Sequence, residues 1–507
     1  MKRDGARSAF RALWLGSLAL VSACSPRART TLTVVQGSDI LTLDPNSRFE
    51  VVNDTVAMNL FDSLLRFDQH MTLQPSLAVR WENPNDRTWR IHLRPGVKFH
   101  DGSPLTSDDV VFTFRRILQN PDSEIFPFLT GIRGVTGPDP LTVEIQTELP
   151  TPLLTRLSFI YILPRKAMER EGETAFLLHP IGTGPYRFVG RHVGEDVEIE
   201  AFPDYWGGPP AVPRVKFRSV ASAEERWRVA TSAHPMILLE GPRQGWEEHK
   251  DDRRLRLIAR PSLSVSYMGV NVTPRRDNPL ADLRVRQAIR LALDLREVLR
   301  RGAANHGFVA TQFVPPDVIG FNPSLEAPGR DLEAARRLLA ESGHPAGMDL
   351  NLDERADSQT PMTGEIVREL REAGIRLTVR RWGKAEFLDR IDKGLFDLHV
   401  TGWICSSGDS AELFESSLHT RQSRGSLGRD NGTGYSNPSL DALIEQILTT
   451  IDSGARIDLE KRAMATAVAD LPLIPLLIQE DRYVLSPDVV WEPRADGEIW
   501  VPDVSLP

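Results

Sequence analysis

The sequence is poor in cysteine, and it lacks the short motifs that mark most catalytic and metal sites. Only two cysteines, Cys24 and Cys405, occur in 507 residues, so no disulfide framework is available. There is no H-E-x-x-H, no G-x-S-x-G and no Cys-His metal spacing, and the eleven histidines are scattered. These absences argue against a hydrolase, and we expect neither an enzyme nor a resident metal or cofactor.

An excess of basic charge is also missing. The whole chain has a formal net charge of −8. Removing residues 1–23 takes away four basic residues and one acidic residue, so the remainder carries about −11. Because an acidic chain is repelled by phosphate backbones, we expect no nucleic-acid partner. The remaining length, over 480 residues, is enough for two or three domains.

Long hydrophobic runs are absent apart from one short segment near the N-terminus. Four basic residues precede an apolar run over residues 13–21, which is too short to span a bilayer. The run ends in Val21-Ser22-Ala23-Cys24, which resembles a bacterial lipobox. We predict a lipoprotein signal peptide over residues 1–23 and lipid attachment at Cys24, which would hold the chain at a membrane. The alternative is an uncleaved anchor.

The rest of the chain alternates between strand and helix patterns, which predicts an α/β fold. Strands are predicted over residues 31–35 and 89–93, and a helix over residues 54–65. Thr106 with Asp109 three residues later predicts a capping box at the start of another helix. Each of these features is structural and carries no chemistry by itself.

Two further segments have clear local patterns. Gly182-Thr183-Gly184-Pro185 predicts a tight turn into a hairpin, and no Gly-Lys-Ser/Thr follows it to suggest a phosphate loop. Asp282 is placed to cap a helix with one apolar face, formed by Val285, Ala288, Ile289 and Ala292. We interpret the arginines on its other side as a solvated face.

The second half of the chain contains a helix-strand-helix-strand run that ends in a polar loop. The predicted elements are helices over 331–342 and 364–373, a strand around 375–379, a helix around 387–391 and a strand over 396–400. Such a run is typical of a crossover unit, whose ligand site lies beyond the C-terminal end of a strand. The loop Gly402–Asp409 is therefore a candidate binding loop.

The most specific stretch is Phe99–Thr113, which reads F-x-D-G-x-P-L-T-x-x-D-V-x-F-T. Further distinctive segments follow in order at residues 180–188, 205–209, 267–271, 282–294, 402–403 and 471–476. Together they resemble the solute-binding proteins of bacterial ABC importers, in the large family 5 that binds oligopeptides, dipeptides and nickel complexes. The resemblance covers nearly the whole chain after the signal peptide.

The resemblance implies an α/β, periplasmic-binding-protein-like two-lobed clamp of type II with an additional third domain. The implied lobe one is discontinuous and consists of residues 31–50, 178–267 and 478–507. The extra domain covers residues 51–177, and lobe two covers residues 268–477. Crossovers near Tyr267 and Gln479 would then serve as hinges, and a ligand would be enclosed as the lobes close.

The implied function is that of a receptor outside the cytoplasm, periplasmic or at the cell surface. It would bind a small ligand, a peptide or peptide-like solute, and deliver it to ABC permease subunits, as a monomer anchored through Cys24. Two alternatives remain open. One is a nickel-chelate or haem receptor of the same family, in which His399 or His419 projects towards the cleft. The other is a ligand sensor or periplasmic chaperone without transport.

The resemblance also implies candidate ligand-binding residues in the Gly402-Trp403 loop. In many peptide-binding members an Asp in this loop pairs with the peptide ammonium, and the matching position is Ser406. Asp409 is a candidate substitute, and the alternative is a solvated turn acid. Trp403 and Tyr267 are candidate aromatic walls, and Cys405 is a candidate contact or a small buried residue. The basic residue that dipeptide-binding relatives place for the ligand carboxylate is missing from residues 358–364.

Overall fold

The computed structural model of the chain describes residues 31–357 and 361–506. The predicted signal peptide over residues 1–23, the predicted lipid attachment at Cys24 and residues 358–360 lie outside the described residues. Within the described ranges, no helix has the length and apolar character needed to cross a membrane.

The described residues form strands and helices in an interleaved order, which confirms the α/β prediction. The strands are β1 (Thr31–Gln36), β2 (Leu65–Phe67), β3 (Leu73–Pro75), β4 (Ala78–Asn85), β5 (Thr88–Leu93), β6 (Ile132–Asp139), β7 (Thr142–Thr147), β8 (Tyr186–His192), β9 (Asp196–Ala201), β10 (Arg214–Ser219), β11 (Met236–Leu238), β12 (Arg256–Val270), β13 (Phe308–Val309), β14 (Met348–Arg355), β15 (Ile375–Trp382), β16 (Leu398–Ile404) and β17 (Leu473–Leu485). The helices are α1 (Val51–Leu60), α2 (Ser107–Leu118), α3 (Arg165–Glu171), α4 (Glu173–Phe176), α5 (Ala223–Ser232), α6 (Trp246–His249), α7 (Leu283–Ala292), α8 (Leu295–Glu297), α9 (Leu332–Glu341), α10 (Pro361–Glu372), α11 (Lys384–Asp392), α12 (Ala411–Leu413), α13 (Pro438–Thr449) and α14 (Ser453–Asp470).

The largest sheet runs through most of the molecule and connects two hydrophobic cores. Its strand order is β15-β14-β16-β12-β17-β11-β1-β10-β9-β8, with β13 paired to β17. The end formed by β8, β9, β10 and β1 packs on a core that includes Leu32, Val215 and Phe217. The end formed by β14, β15 and β16 packs on a separate core that includes Leu352 and Leu398. The two ends therefore have cores of their own.

Strands β12 and β17 carry the chain from one half of this sheet to the other. They pair antiparallel from Arg256 opposite Leu485 to Gly269 opposite Leu473. The register shifts between Pro261 and Val265. Proline has no N–H to donate to a ladder, so a break in pairing there has a simple covalent cause. The long shared pair is consequently interrupted where the two halves meet.

The β14–β16 end contains the crossover unit predicted from the sequence. β14 pairs parallel with β15 and with β16, and helices α10 and α11 provide the connections. Helix α9 begins after Asp331, whose carboxylate accepts a hydrogen bond from Ala334 N at 2.8 Å. Gly374 ends the α10 segment with φ of +95°, a left-handed conformation that costs little without a side chain. The predicted order of elements is confirmed here.

A separate four-stranded sheet, β4-β5-β7-β6, packs against α2 and forms a third core. Alternate residues of β5, namely Trp89, Ile91 and Leu93, are buried, as their spacing predicts. The predicted capping box is present at the start of α2, where Thr106 N donates to Asp109 Oδ2 at 2.9 Å. This sheet lies within the residues assigned from the sequence to an extra domain.

Three local predictions were wrong in detail. The helix expected over residues 54–65 is α1, which ends at Leu60 because the chain then extends into β2. The loop expected from Gly402 begins later, because antiparallel pairing with β12 extends β16 to Ile404. Of the arginines of α7 only Arg284 is exposed. Arg286 and Arg290 are buried, and Arg286 donates to the carbonyls of Asp470, Leu280 and Ala281.

Candidate functional site

A cavity of about 530 Å³ lies where the two halves of the large sheet and the third core meet. Its lining comes from β1, α1 and the chain after it, β12, β17, the residues around the end of β16, and a C-terminal segment over residues 494–500. A cavity of this size is within the range of small-molecule sites in proteins, which is about 300–1,000 Å³. We therefore take it as the candidate site.

Aromatic side chains form one wall of the cavity. Phe159 lies against Phe49, with ring centroids 5.2 Å apart and nearly perpendicular rings, and against Phe67 at 6.0 Å. The guanidinium of Arg66 lies 3.8 Å from the ring centroid of Trp500. Such surfaces bind the apolar or planar parts of a ligand and exclude water from them.

The polar part of the lining is strongly acidic. Among the described residues, its acidic members are Glu50, Asp54, Asp62, Glu240, Asp481, Asp496 and Glu498, and its basic members are Arg66 and Arg494. One of these two guanidiniums is already engaged, because Arg494 pairs with Asp496 at 2.5 Å. The cavity therefore presents a surplus of carboxyl groups to whatever enters it.

Burial changes the protonation of several of these carboxyl groups. It raises the pKa of Asp62 to about 6 and that of Asp481 to about 6. Burial and the neighbouring carboxylates of Asp496 and Glu50 raise the pKa of Asp54 well above its usual range. These groups hold protons more tightly than exposed carboxyl groups do, since a buried negative charge without a cation is costly.

The C-terminal segment is held in place by hydrogen bonds to the chain around α1 and β2. Asn59 Nδ2 donates to Ile499 O at 2.8 Å, and Val501 N donates back to Asn59 Oδ1 at 2.9 Å. On the other side, Arg494 Nη2 donates to Phe67 O at 3.1 Å. Residues more than 400 positions apart in the chain are thereby fixed on one wall of the cavity.

Of the ligand-binding residues predicted from the sequence, Ser406 lines the cavity. Trp403 and Cys405 do not, because side chains alternate along the end of β16. Ile404 and Ser406 face the cavity, whereas Cys405 is fully buried in the core of the β14–β16 end and Trp403 packs against that core. Burial raises the pKa of the Cys405 thiol well above its usual range.

Tyr267 and Asp409 are also absent from the lining. Tyr267 packs on the same core, with its ring 6.3 Å from that of His399. Asp409 is buried and receives two hydrogen bonds from Arg456, at 2.8 and 2.9 Å. It is therefore not a solvated turn acid. The predicted ligand contacts of Trp403, Cys405, Tyr267 and Asp409 stay predictions.

The two histidines considered for metal or haem binding do not face the cavity. His399 is buried among aromatic rings, including Phe396 at 4.6 Å, and burial lowers its pKa to about 3. His419 is also buried, with Nδ1 2.7 Å from Thr420 O. Across residues 31–357 and 361–506, no group of three or more His, Cys, Asp or Glu side chains is arranged to hold a metal ion.

Sequence reasoning missed most of the cavity lining. Gln36 ends β1, Asp481 and Tyr483 lie on β17, and Asp496 follows that strand, so the fold brings them together from opposite ends of the chain. The one available signal was the cluster of charges in Arg494-Ala495-Asp496-Gly497-Glu498, close to the C-terminus. Nothing in the sequence locates Gln36.

Comparisons with known proteins agree with this architecture. A family described as bacterial extracellular solute-binding proteins, family 5 Middle, matches residues 72–425. The chain is 28% identical over 484 residues to the glutathione-binding protein GsiB of Pectobacterium atrosepticum, with 91% of each chain covered. It is 26% identical over 505 residues to the dipeptide-binding protein of Escherichia coli strain K12, with 92% of each chain covered.

Solved structures are similar over nearly the whole chain. The structure of HbpA2 from Haemophilus parasuis matches with a TM-score of 0.85 and 25% sequence identity, covering 94% of this chain and all of that one. The unliganded open form of the murein tripeptide binding protein MppA matches with a TM-score of 0.84 and 19% identity, covering 94% of this chain and 98% of that one. The predicted two-lobed type II fold is confirmed.

Proposed function

The chain belongs to the bacterial extracellular solute-binding proteins of family 5, and we propose that it captures a peptide or peptide-like solute and delivers it to the permease subunits of an ABC transporter. The family membership confirms the resemblance noted in the sequence. Relatives that cover more than nine-tenths of the chain are a glutathione-binding and a dipeptide-binding protein, which supports a peptide-like ligand. These relatives are binding proteins, which supports a role without catalysis.

The observation that carries the proposal is the cavity of about 530 Å³ where the halves of the large sheet meet. It combines an aromatic wall around Phe159 with polar groups on β1, β17 and the C-terminal segment. Sites of this composition bind solutes that have both apolar side chains and charged or amide groups. A short peptide is such a solute.

We propose that ligand binding closes the molecule around hinges in β12 and β17. The domain boundaries expected from the sequence remain part of this proposal, with residues 31–50, 178–267 and 478–507 in lobe one, 51–177 in the extra domain and 268–477 in lobe two. The register shift after Pro261 and the second one between Ser266 and Tyr267 support bending there, because an irregular ladder between β12 and β17 holds the two strands together less firmly than a regular one. The closed form would be the one that the permease recognises.

Anchoring of the receptor by lipid at Cys24 is a further part of the proposal. The supporting observation is the lipobox-like Val21-Ser22-Ala23-Cys24 after a short apolar run. The test is expression of the full chain and of its Cys24→Ala variant in a bacterium grown with radiolabelled palmitate. We expect label and membrane association in the parent chain and neither in the variant. Equal labelling of both chains would exclude Cys24 as the attachment site.

The binding proposal is tested by thermal unfolding of residues 25–507 with added solutes. The panel contains mixed di- and tripeptides, the same peptides N-acetylated, sugars and a nickel–histidine chelate. A ligand at 100 times its dissociation constant adds about 2.7 kcal/mol to the free energy of unfolding, which shifts the midpoint measurably. We expect stabilisation by peptides. Stabilisation by the sugars or the nickel chelate, with none by peptides, would contradict a peptide receptor.

A further inference from the structure

The wall of the cavity formed by β1 and β17 carries buried polar groups without partners. Gln36 is fully buried and lines the cavity, and within residues 31–357 and 361–506 neither atom of its amide group has a hydrogen-bond partner. The hydroxyl of Tyr483, on the same wall but separated from β1 by β11, also has no partner among these residues and is 1% exposed. Because a buried polar group without a partner costs free energy, such groups at a cavity indicate a ligand that supplies the partner.

The carboxylate of Asp481 and the hydroxyl of Tyr483 point towards a common space. A methyl group placed on Gly497 would lie 3.7 Å from Asp481 Oδ2 and 3.8 Å from Tyr483 Oη, so both oxygens face the same point next to the C-terminal segment. Gly497 itself has φ of +82°, which a side chain would disfavour. The absence of a side chain there leaves the space beside the two oxygens open to the cavity.

The arginines near the space beside Gly497 form ion pairs with other carboxylates. Arg260, opposite Asp481 in the β12–β17 pair, donates to Asp317 at 2.8 Å and to Pro493 O. Arg494 is bound by Asp496. Burial raises the pKa of Asp481 to about 6; Arg260 and Arg482 act in the opposite direction, and the neighbouring carboxylates of Glu240 and Asp496 add to the rise. A buried carboxylate with other carboxylates nearby is stabilised strongly by a positive charge on the ligand.

We propose that Gln36, Asp481 and Tyr483 form a subsite for a positively charged ligand group, an alkylammonium or guanidinium, and that the receptor selects cationic peptides. The carboxyl groups of the lining outnumber its guanidiniums by seven to two among the described residues, which disfavours an anionic tripeptide such as glutathione. The inference rests on the proposed peptide-binding function, and it names the ligand class for the same cavity.

The test is calorimetric titration of residues 25–507 with four tripeptides of matched size and with the free polyamine spermidine. The tripeptides carry a central lysine, arginine, alanine or glutamate. We expect the lysine and arginine peptides to bind about 10- to 100-fold more tightly than the alanine peptide, because a hydrogen bond to a charged group has that effect on a dissociation constant. The glutamate peptide should bind most weakly.

Two variants assign the effect to the subsite. Asp481→Asn removes the charge and keeps the shape, and Tyr483→Phe removes a hydroxyl that has no partner, so folding should be preserved in both. Asp481→Asn should lower the preference for the lysine peptide over the alanine peptide at least tenfold, and Tyr483→Phe should lower it several-fold. The matched control is Asp349→Asn, since Asp349 is exposed on β14 and pairs with Arg376. The control should keep the full preference.

The outcomes separate this inference from the proposed function. If all four tripeptides bind with equal affinity, or the glutamate peptide binds best, the cationic subsite is overturned and the peptide receptor stands. A lysine preference that survives in Asp481→Asn also overturns the subsite. If no tripeptide binds but spermidine does, and Asp481→Asn abolishes its binding, the subsite stands and the peptide function fails. Binding of none of the five compounds overturns both.

Discussion

Replacing Asp409 by asparagine would leave the buried guanidinium of Arg456 without its bidentate partner. The two side chains are joined by hydrogen bonds of 2.8 and 2.9 Å, and they are 4% and 8% exposed. Glu460 lies 3.0 Å from the same guanidinium and would remain after the substitution. The pair connects the chain after β16 to α14, so its loss acts on the packing of the β14–β16 end.

The expected loss of stability follows from this geometry. Removing one partner of a buried ion pair costs about 3–5 kcal/mol, because the other charge stays buried. Burial and the charge of Asp409 raise the pKa of Glu460 to about 8; removing that charge lets Glu460 ionise more readily and neutralise part of the charge on Arg456. We therefore expect Asp409→Asn to lower the free energy of unfolding by about 2–4 kcal/mol. Asp409 does not line the cavity, so the dissociation constant for a bound peptide should change less than about twofold.

The assay is urea unfolding of residues 25–507 alongside calorimetric titration with the best-binding peptide. Ser406→Ala is the matched comparison, because Ser406 lines the cavity and makes no hydrogen bond among the described contacts of the loop. It should weaken binding and leave the urea midpoint unchanged. The reasoning would be refuted if Asp409→Asn kept the parent midpoint and lost peptide binding, since Asp409 would then be the ligand anchor.

Three further predictions concern other parts of the molecule. Burial raises the pKa of Asp62 to about 6 from 3.8, so the folded state holds a proton that the unfolded state releases, and its contribution to stability falls as pH rises from 4 to 6. Urea unfolding of Asp62→Asn across this range should lack that fall, about 1 kcal/mol per pH unit, and an unchanged pH profile would contradict it. Gly182→Ala should reduce the yield of folded protein or its unfolding midpoint sharply, because the added methyl overlaps Leu60 O, and a midpoint equal to the parent's would show that the contact relaxes. Cys405, fully buried, should react with a thiol reagent only in denaturant, whereas rapid reaction of the folded chain would place it at the surface.

Much of the fold follows from local patterns that the sequence displays. The capping box at Thr106, the alternation along β5 and the glycine-closed helix before Gly374 each depend on residues within a few positions of one another. Element ends were harder to predict. β16 continues to Ile404 because β12 pairs with it, and Ser264, the partner of Ile404, is 140 residues earlier in the chain.

The candidate site was predicted less well, because the residues that form it are far apart in the sequence. Successive residues of a strand face opposite sides of the sheet. An assignment that is wrong by one position therefore places Trp403 at the cavity instead of Ile404. The arginine partner of Asp409 lies 47 positions away and is invisible to local analysis. Gln36 and Asp481 line the same cavity because β1 and β17 both pair with β11, on its opposite edges. That topology cannot be derived from either strand alone.

The central claim is that a peptide enters the cavity between the lobes and that the molecule closes on it. The most direct test is small-angle X-ray scattering of residues 25–507, measured without ligand and with a saturating peptide that stabilises the chain against heat. We predict a smaller radius of gyration with the peptide, because hinge bending at β12 and β17 brings the lobes together. An identical scattering curve at saturation would contradict the account, since the peptide would then bind without closure.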